Sequence, residues 1–350
     1  MILPGSLTLS ILLLILSLLC WGFWTSTFKL AGKWRFELYY FDFAMGAVVL
    51  AGIAALTLGN MGWDGFSIVD DLRNAGKRQD LFAFIAGAIF NLGNMLLLAA
   101  VSLAGLSVAF PLAAGLALVI GAIWNFVLHP GGSALFLGLG AVALAAAIVM
   151  TAIAYKNYLA QVKKEAPAPV AVKGKRVKPQ TPGKAILIAL AGGVLLGSFY
   201  PFVDMARGSE LGLGPYSLTV VFTLGMAFTT FVYNLFFMNL PVKGEPVDFA
   251  EYFKGSGKQH GMGFLGGALW ALGALAAFVA WKAEGAAQPG PVANYAFVQG
   301  APLLATLLGL VWWKEFPDSD GRVKTLLFVM LVFFATGLGA LALAPNAGLR

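Results

Sequence analysis

Residues 81–128 read LFAFIAGAIFNLGNMLLLAAVSLAGLSVAFPLAAGLALVIGAIWNFVL. This stretch contains two apolar windows, 81–103 and 105–128, which are joined only at Ala104 and Gly105. An α-helix needs about 20 apolar residues to cross the hydrocarbon core of a bilayer, so each window is long enough to span it. Because the joint is so short, the two helices must be antiparallel neighbours. The stretch therefore predicts a helical membrane protein.

The rest of the chain has the same character. Of its 350 residues, 59% are hydrophobic and only 11% are charged, whereas a soluble domain has about 25% charged residues. Lipid cannot satisfy free backbone N–H and C=O groups, so apolar windows of this length must be helices. We predict an all-α integral membrane protein with ten transmembrane helices, at about 6–28, 38–59, 81–103, 105–128, 133–154, 184–206, 214–240, 260–282, 291–312 and 323–344.

The first window lies close enough to the N-terminus to resemble a signal peptide. No Lys or Arg precedes it before Lys29, and Trp21, Phe23 and Trp24 continue the apolar run where a small-residue cleavage site would be expected. We therefore interpret it as a retained first helix.

A polar segment divides the chain into two similar halves. Residues 155–183 are basic and poor in apolar side chains, which predicts a flexible linker between a first repeat, 1–154, and a second repeat, 184–350. Weak local matches keep their order in both halves, such as Gly22 with Gly197 and Gly87 with Gly267. Five helices is an odd number, so the second copy must cross the membrane in the opposite sense. The chain is thus expected to be a 5+5 inverted repeat, as in many secondary transporters.

The charge distribution indicates sidedness rather than a nucleic-acid partner. The net charge is +7, and the positive residues lie in the gaps between apolar windows. Loops on the side of the linker carry 17 of the 23 Lys and Arg residues, and those on the opposite side carry 6. By the positive-inside rule the linker is cytoplasmic and both termini lie outside, in the plasma membrane, which is the inner membrane if the source is a bacterium. Nothing indicates the oligomeric state.

Several kinds of chemistry have no support in this sequence. The single cysteine, Cys20, excludes an intrachain disulfide, and the two distant histidines, His129 and His260, do not form a metal-ligand pattern. The sequence contains no G-x-x-x-x-G-K-[ST], G-x-S-x-G or H-E-x-x-H motif. We therefore expect a protein that is not an enzyme and has neither a metal nor a cofactor.

Three amide side chains lie deep within the predicted spans. Asn91 and Asn94 are three residues apart and share a helical face, and Gln299 precedes Pro302 in the ninth window. A polar group in hydrocarbon must find a partner or face a wet cavity. Interhelical hydrogen bonds and contacts with a solute are both consistent with the two asparagines. A kink at Pro302 would free backbone carbonyls beside Gln299, an arrangement suited to a neutral polar ligand.

Three tryptophans lie within the predicted spans. Trp21 and Trp24 are three residues apart in the first window, and Trp270 lies near the middle of the eighth. Such rings fill space in any helix bundle, but planar or sugar-like ligands also stack on them. We include all three, with Asn91, Asn94 and Gln299, in a candidate substrate-binding set.

Carboxylates near the apolar windows are candidates for proton coupling. Asp42 is followed by apolar neighbours in the second window, where an unpaired charge costs about 2.5–3.5 kcal/mol at the centre of a span. Glu37 is the second candidate, although a solvated contact of either carboxylate with Lys29, Lys33 or Arg35 is the alternative. Asp204 and Arg207 are spaced to pair with each other on one helical face.

Two segments resemble the ureide permease family. The first runs from Cys20-Trp21-Gly22-Phe23-Trp24 through Lys29–Tyr40 to Asp42, and the second is Ala104–Pro111 followed by Gly115–Gly121 and Asn125. The same features resemble, less specifically, the glucose/ribose porters of the drug/metabolite transporter superfamily. The ten-span layout extends the resemblance over nearly the whole chain.

The resemblance implies proton-coupled uptake of allantoin, uracil or related heterocycles, or of sugars as in the porters. Some superfamily relatives have cytoplasmic termini, which leaves the orientation open. Our hypothesis is a secondary transporter that moves a small neutral polar solute by alternating access, with protons and membrane lipid as its other partners. The alternatives are efflux of metabolites or drugs, and a membrane scaffold without solute flux.

Overall fold

The computed structural model describes residues 1–61, 67–165 and 182–345. Twelve α-helices occur in this part of the chain. They are α1 Leu7–Leu30, α2 Phe36–Leu56, α3 Ile68–Asn74, α4 Lys77–Ala104, α5 Leu106–Leu128, α6 Ala134–Glu165, α7 Pro182–Ser198, α8 Tyr200–Arg207, α9 Pro215–Asn239, α10 Gly257–Trp281, α11 Pro291–Leu307 and α12 Gly321–Leu343.

The prediction of ten transmembrane helices is confirmed. Within the described residues, ten helices are long and apolar enough to cross a membrane, and each coincides with a predicted window. Helices α7 and α8 together form one span, 182–207. The span is interrupted between them because Pro201, in the first turn of α8, has no N–H to continue the hydrogen-bond ladder of α7. The short helix α3 lies in the connection between two spans.

The predicted linker is shorter in the structure than in the sequence interpretation. Helix α6 continues to Glu165, so residues 155–165 are helical rather than part of a flexible connection. The next span begins at Pro182. The remaining residues of the predicted linker, 166–181, lie outside the described part of the chain.

The number of crossings determines which ends share a face of the bundle. After five spans the linker lies on the opposite face from the N-terminus, and after ten spans the C-terminal end returns to the first face. Two contacts agree with this count. The Ile2 carbonyl accepts a hydrogen bond from the Tyr216 hydroxyl at the start of α9, and the Ser133 N–H donates one to the Ala344 carbonyl. We call the two faces the terminal side and the linker side.

The packing of the helices follows a pattern that recurs in both halves. Helix α1 packs against α10 and α11 of the other half, just as α7 packs against α4 and α5. Helix α2 packs against α10, and α9 packs against α4. At the periphery α6 pairs with α12.

Glycines bring the backbones of α2 and α10 into direct contact. A Cβ atom at Gly267 would collide with the carbonyl oxygen of Phe43 and would lie 2.9 Å from the amide nitrogen of Ala47. Gly46 makes the reverse contact with the carbonyl oxygen of Phe264. Small residues allow this approach, which supplies the van der Waals contact that holds helices together in lipid.

The same arrangement joins α4 and α9. A Cβ atom at Gly87 would collide with the carbonyl oxygen of Phe222, and one at Gly225 would collide with the carbonyl oxygen of Phe84. Four glycines in equivalent contacts therefore allow the backbones of two central helix pairs to pack directly against each other.

Gly267→Ala is expected to destabilise the protein, because the added methyl group must displace the backbone of α2. Overpacking of this kind costs about 1–3 kcal/mol. The control is Gly261→Ala in the same helix, where a Cβ atom would meet nothing within 4 Å. Thermal unfolding of the purified protein in detergent should show a lower midpoint for Gly267→Ala and an unchanged or higher midpoint for Gly261→Ala. Equal midpoints would contradict this account of the contact.

Candidate functional site

A cavity of about 840 Å³ penetrates the bundle. Its walls come mainly from α1, α4, α5, α8, α10 and α11, with further residues from α6, α7, α9 and α12. The lining extends to residues 129–132, which connect α5 and α6, and to residues 288–291 at the start of α11. Since both connections lie on the terminal side, the cavity opens there and ends inside the bundle.

Five of the six predicted binding residues line this cavity. They are Trp21, Trp24, Asn94, Trp270 and Gln299. They come from four helices of both halves, and only the three-dimensional arrangement brings them together. The aromatic and amide groups expected to share a site therefore do share a cavity.

Aromatic rings form the inner wall of the cavity. The ring of Trp270 stacks on Trp21 with centroids 6.3 Å apart and on Phe222 with centroids 5.7 Å apart. Phe90 lies 4.6 Å from Trp270 on the same wall. The indole N–H of Trp21 donates to the carbonyl oxygen of Trp270 at 2.9 Å, which ties α1 to α10. The wall is thus a rigid, predominantly apolar surface.

Amide side chains supply the polar part of the lining. The Asn94 side chain donates an N–H to the Tyr40 hydroxyl at 3.0 Å. This bond uses one of its two amide donors and holds the group against α2. Gln299 is partly exposed on α11, one turn before Pro302. The lining therefore offers neutral hydrogen-bonding groups beside the aromatic rings.

Asn91 does not line the cavity. Its side chain is fully buried and donates to the Met226 carbonyl oxygen at 2.9 Å, to Thr229 at 2.9 Å and to Thr230 at 3.1 Å. All three partners belong to α9. These bonds correspond to the interhelical alternative considered for Asn91, and the candidate site is defined without this residue.

Sequence reasoning missed part of the lining. Phe199 lies on the wall, and it follows Trp24 at the same offset of 175 residues that relates Gly22 and Gly197, so the repeat could have identified it. Tyr200 donates its hydroxyl to the Asn125 side-chain oxygen at 2.8 Å, and both residues line the cavity. Asn125 belongs to the second segment that resembles the ureide permeases, but nothing in the sequence assigned it or Tyr200 to a site.

Charged groups occur only near the mouth of the cavity. Among the described lining residues none is a carboxylate, and the basic groups are His129 and Arg207. Asp204 lies behind them and accepts from His129 at 2.9 Å and from Arg207 at 3.4 Å. The predicted pairing of Asp204 with Arg207 is present. The inner cavity consequently favours an uncharged occupant.

Asp42, the first candidate for proton coupling, lies outside the cavity lining. It is 4% exposed and accepts a hydrogen bond from the Tyr252 hydroxyl at 2.6 Å. The Nδ1 atom of His260 lies 2.9 Å from one of its oxygens and 3.1 Å from the other. These residues join α2, the start of α10 and a short 3₁₀ helix, Phe249–Lys254, on the linker side. Burial, together with the bond to Asp42, raises the pKa of Tyr252.

Glu37, the second candidate, has a different partner. Its buried carboxylate forms an ion pair with Arg35, with a closest N–O distance of 2.6 Å. Arg35 also donates to the Glu245 carbonyl oxygen at 2.6 Å. The contact of Glu37 with Arg35 is thus present, but the carboxylate is 1% exposed rather than solvated.

Asn91→Ala is expected to lower the stability of the fold. The change leaves the α4–α9 contact without its interhelical donor, and loss of a buried hydrogen bond costs about 1–3 kcal/mol. The measurement is thermal unfolding in detergent. The control is Asn239→Ala near the exposed end of α9, whose side chain bonds only within its own helix in this structure. If the two variants unfolded at the same temperature, the structural role assigned to Asn91 would be wrong.

Comparison with known proteins agrees with this architecture. The family model of the ureide permeases matches residues 39–181. Ureide permease 1 of Arabidopsis thaliana is 24% identical, covering 94% of this chain and 95% of the relative. Ureide permease 4 of the same plant is 25% identical with the same coverage. The likeness extends over both halves of the bundle, and the chain is therefore an integral membrane protein that is similar to the ureide permeases.

Proposed function

We propose that this protein is a secondary active transporter of a small neutral polar solute, with ureides and nucleobases such as allantoin or uracil as the solute class. The observation that carries the proposal is the cavity, which enters from the terminal side and ends among aromatic rings and amides. The relatives named ureide permeases support the solute class. Transport of this kind requires neither catalysis nor a cofactor.

The chemistry of the wall matches this class of solute. Planar heterocycles stack on tryptophan and phenylalanine rings, which Trp21, Trp270 and Phe90 present in one wall. Their alternating N–H and C=O groups pair with amides such as Asn94 and Gln299. A charged solute would have no partner of opposite charge in the inner cavity.

We further propose that the two halves form an inverted repeat that rocks around this cavity. The support is the equivalence of the contacts: Gly267 meets the Phe43 carbonyl as Gly87 meets the Phe222 carbonyl. Equivalent contacts in both halves allow two conformations of similar energy, with the cavity open to one side in each. The proposed domains are 1–154 and 184–350.

Proton coupling is part of the proposal, with Asp42 as the group that titrates and Glu37 as a secondary candidate. Asp42 lies on α2 and contacts His260 on α10, the helix that carries Trp270 on the cavity wall. Protonation of Asp42 would weaken its bonds with His260 and Tyr252 and so change how these two elements pack. It would act through helix packing, since Asp42 does not line the cavity.

The proposed location is the plasma membrane with both termini outside. The described connections on the linker side carry Lys33, Arg35, Lys243, Lys254 and Lys314, and Lys29 lies at the adjoining end of α1, in agreement with the charge count over the whole chain. In this orientation the cavity opens to the outside, as expected for uptake.

The test is transport by the purified protein reconstituted in liposomes. Radiolabelled allantoin and uracil should enter, and an inward proton gradient should raise their accumulation, while hexoses should not compete. Competition by hexoses instead would favour a sugar porter, and preferential export of greasy cations would favour efflux. If the protein neither bound nor transported any of these solutes, the proposal would be refuted and a membrane scaffold would be the remaining interpretation.

Asn94→Ala should weaken solute binding about tenfold, because one hydrogen bond to a neutral group contributes about 1–1.5 kcal/mol. Solute-dependent thermal stabilisation and direct binding assays measure the change. Asn239→Ala, outside the cavity, should bind like the parent protein. Parent-like binding by Asn94→Ala would remove this side chain from the site.

Asp42→Asn should retain exchange of solute across the membrane but lose accumulation driven by a proton gradient, because the amide cannot titrate. The measurement compares counterflow with gradient-driven uptake in the same liposomes. Asp248→Asn is a control at an exposed position on the linker side. Gradient-driven accumulation equal to that of the control would exclude Asp42 as the coupling group.

A further inference from the structure

A cluster of polar groups around Glu315 lies on the linker side of the bundle. This residue follows α11, and its side chain is only 7% exposed. A second cavity, of about 850 Å³, lies on the linker side and is lined by Lys29 and Glu315, neither of which lines the first. On α5, Gly105 lines the second cavity and Phe110 lines the first, and the two residues that donate their N–H groups to Glu315, Leu106 and Ser107, lie between them.

The carboxylate of Glu315 has partners from two other helices. Lys29, in the last turn of α1, forms an ion pair with it. At the start of α5 it accepts from the Leu106 N–H at 2.8 Å and the Ser107 N–H at 2.7 Å, and it also accepts from the Ser107 hydroxyl. Free N–H groups at a helix N-terminus favour an anion. One side chain therefore ties α1, α5 and the end of α11 together.

The surroundings are shaped to admit this carboxylate. A Cβ atom at Gly105 would lie 2.5 Å from the Glu315 carboxyl carbon, and one at Gly309 would lie 2.7 Å from a carboxyl oxygen. Gly105 also has a φ of 84°, a conformation that glycine adopts without steric cost. Larger residues at either position would expel the carboxylate.

The backbone before Glu315 is irregular. Helix α11 is followed by a π-helical turn, Leu308–Trp312, and Lys314 has a φ of 47°, which is unusual for a residue other than glycine. The Trp313 ring lies 5.2 Å from the Lys29 ammonium and donates its N–H to Ser26 at 3.2 Å. Backbone strain of this kind concentrates at functional sites, including switch regions.

A related but looser cluster lies on the opposite side. Asp204 follows Lys29 at the offset of 175 residues that relates Gly22 and Gly197, and it contacts His129, the residue after α5. The side chain of His129 is 56% exposed, whereas that of Lys29 is 22% exposed. Here the carboxylate is paired by side chains at the cavity mouth rather than enclosed at a helix N-terminus.

We propose that these two ion-pair clusters are the gates of the cavity. Glu315 with Lys29 closes the linker side in this structure. The Asp204–His129 pair, which is already formed but exposed at the open mouth here, becomes enclosed and closes the terminal side in the opposite conformation. The inference rests on the proposed function, since only a carrier needs both gates. Each passage of solute then requires the Glu315 carboxylate to leave the N-terminus of α5.

The test follows access to a cysteine in the cavity. Gly121 lines the cavity and has no atom within 4 Å of a Cβ built on it, so Gly121→Cys fits. Replacing Cys20, the only native cysteine, by alanine makes this thiol unique. A charged, membrane-impermeant methanethiosulfonate reagent is applied to vesicles of each orientation. Lys258→Cys, at an exposed linker-side position, reports which side each preparation presents.

Glu315→Gln keeps the size of the side chain and removes its charge. We expect it to lower the labelling rate from the terminal side at least threefold and to raise the rate from the linker side by a similar factor. Lys29→Met should have the same effect and serves as the second variant if Glu315→Gln does not fold. Asp204→Asn should shift labelling in the opposite direction.

The matched controls are Glu251→Gln and Lys254→Met, which break an exposed ion pair on the same side. Rates for Glu315→Gln and Lys29→Met that equal those of these controls from both sides would overturn the proposal. Equal shifts of the same sign for Asp204→Asn and Glu315→Gln would also overturn it. Labelling requires no solute, so failure of the gates is distinguishable from failure of the transport proposal, which is read from uptake.

Discussion

Direct contact between helix backbones at glycine is the constraint on which the rest of the structure depends. Lipid tails are as apolar as the side chains, so moving a side chain from lipid into a helix interface gains little free energy. Helices in a membrane therefore associate through close packing. Gly267 against Phe43 and Gly87 against Phe222 bring two helix pairs to contact distance at the centre of the bundle. With these pairs drawn together, the remaining helices enclose a cavity rather than a filled core.

The cavity and the polar clusters are organised around these central pairs. Trp270 lies on α10 less than one turn beyond Gly267, and Phe90 lies on α4 less than one turn beyond Gly87. The glycine contacts thus also set the position of the aromatic wall. Charged groups are kept away from it: Asp42 is bonded on the linker side, and Asp204 lies behind the mouth. This separation leaves a neutral wall, as the proposed neutral solute requires.

The carboxylates at the two ends of the cavity differ in the number and the burial of their hydrogen-bonding partners. Glu315 receives two backbone donors, a hydroxyl and an ammonium group, whereas Asp204 has two side-chain partners near solvent. A buried, fully bonded carboxylate resists opening more than an exposed one. In the proposed transport cycle, this structure is the state that is closed at the linker side and open at the terminal side.

The sequence by itself determined the membrane class, the ten spans and five of the residues that line the cavity. Length and apolarity are sufficient for spans, because lipid allows only helices there, and deep amides and tryptophans are few enough to stand out. Only the tertiary structure decided that Asn91 faces α9 while Asn94, one turn away, faces the cavity. It also decided that Glu315, which lies outside any apolar window, is buried. The reason is that hydropathy reports whether a residue can enter lipid, whereas the direction of a side chain and its partners depend on helices distant in the chain.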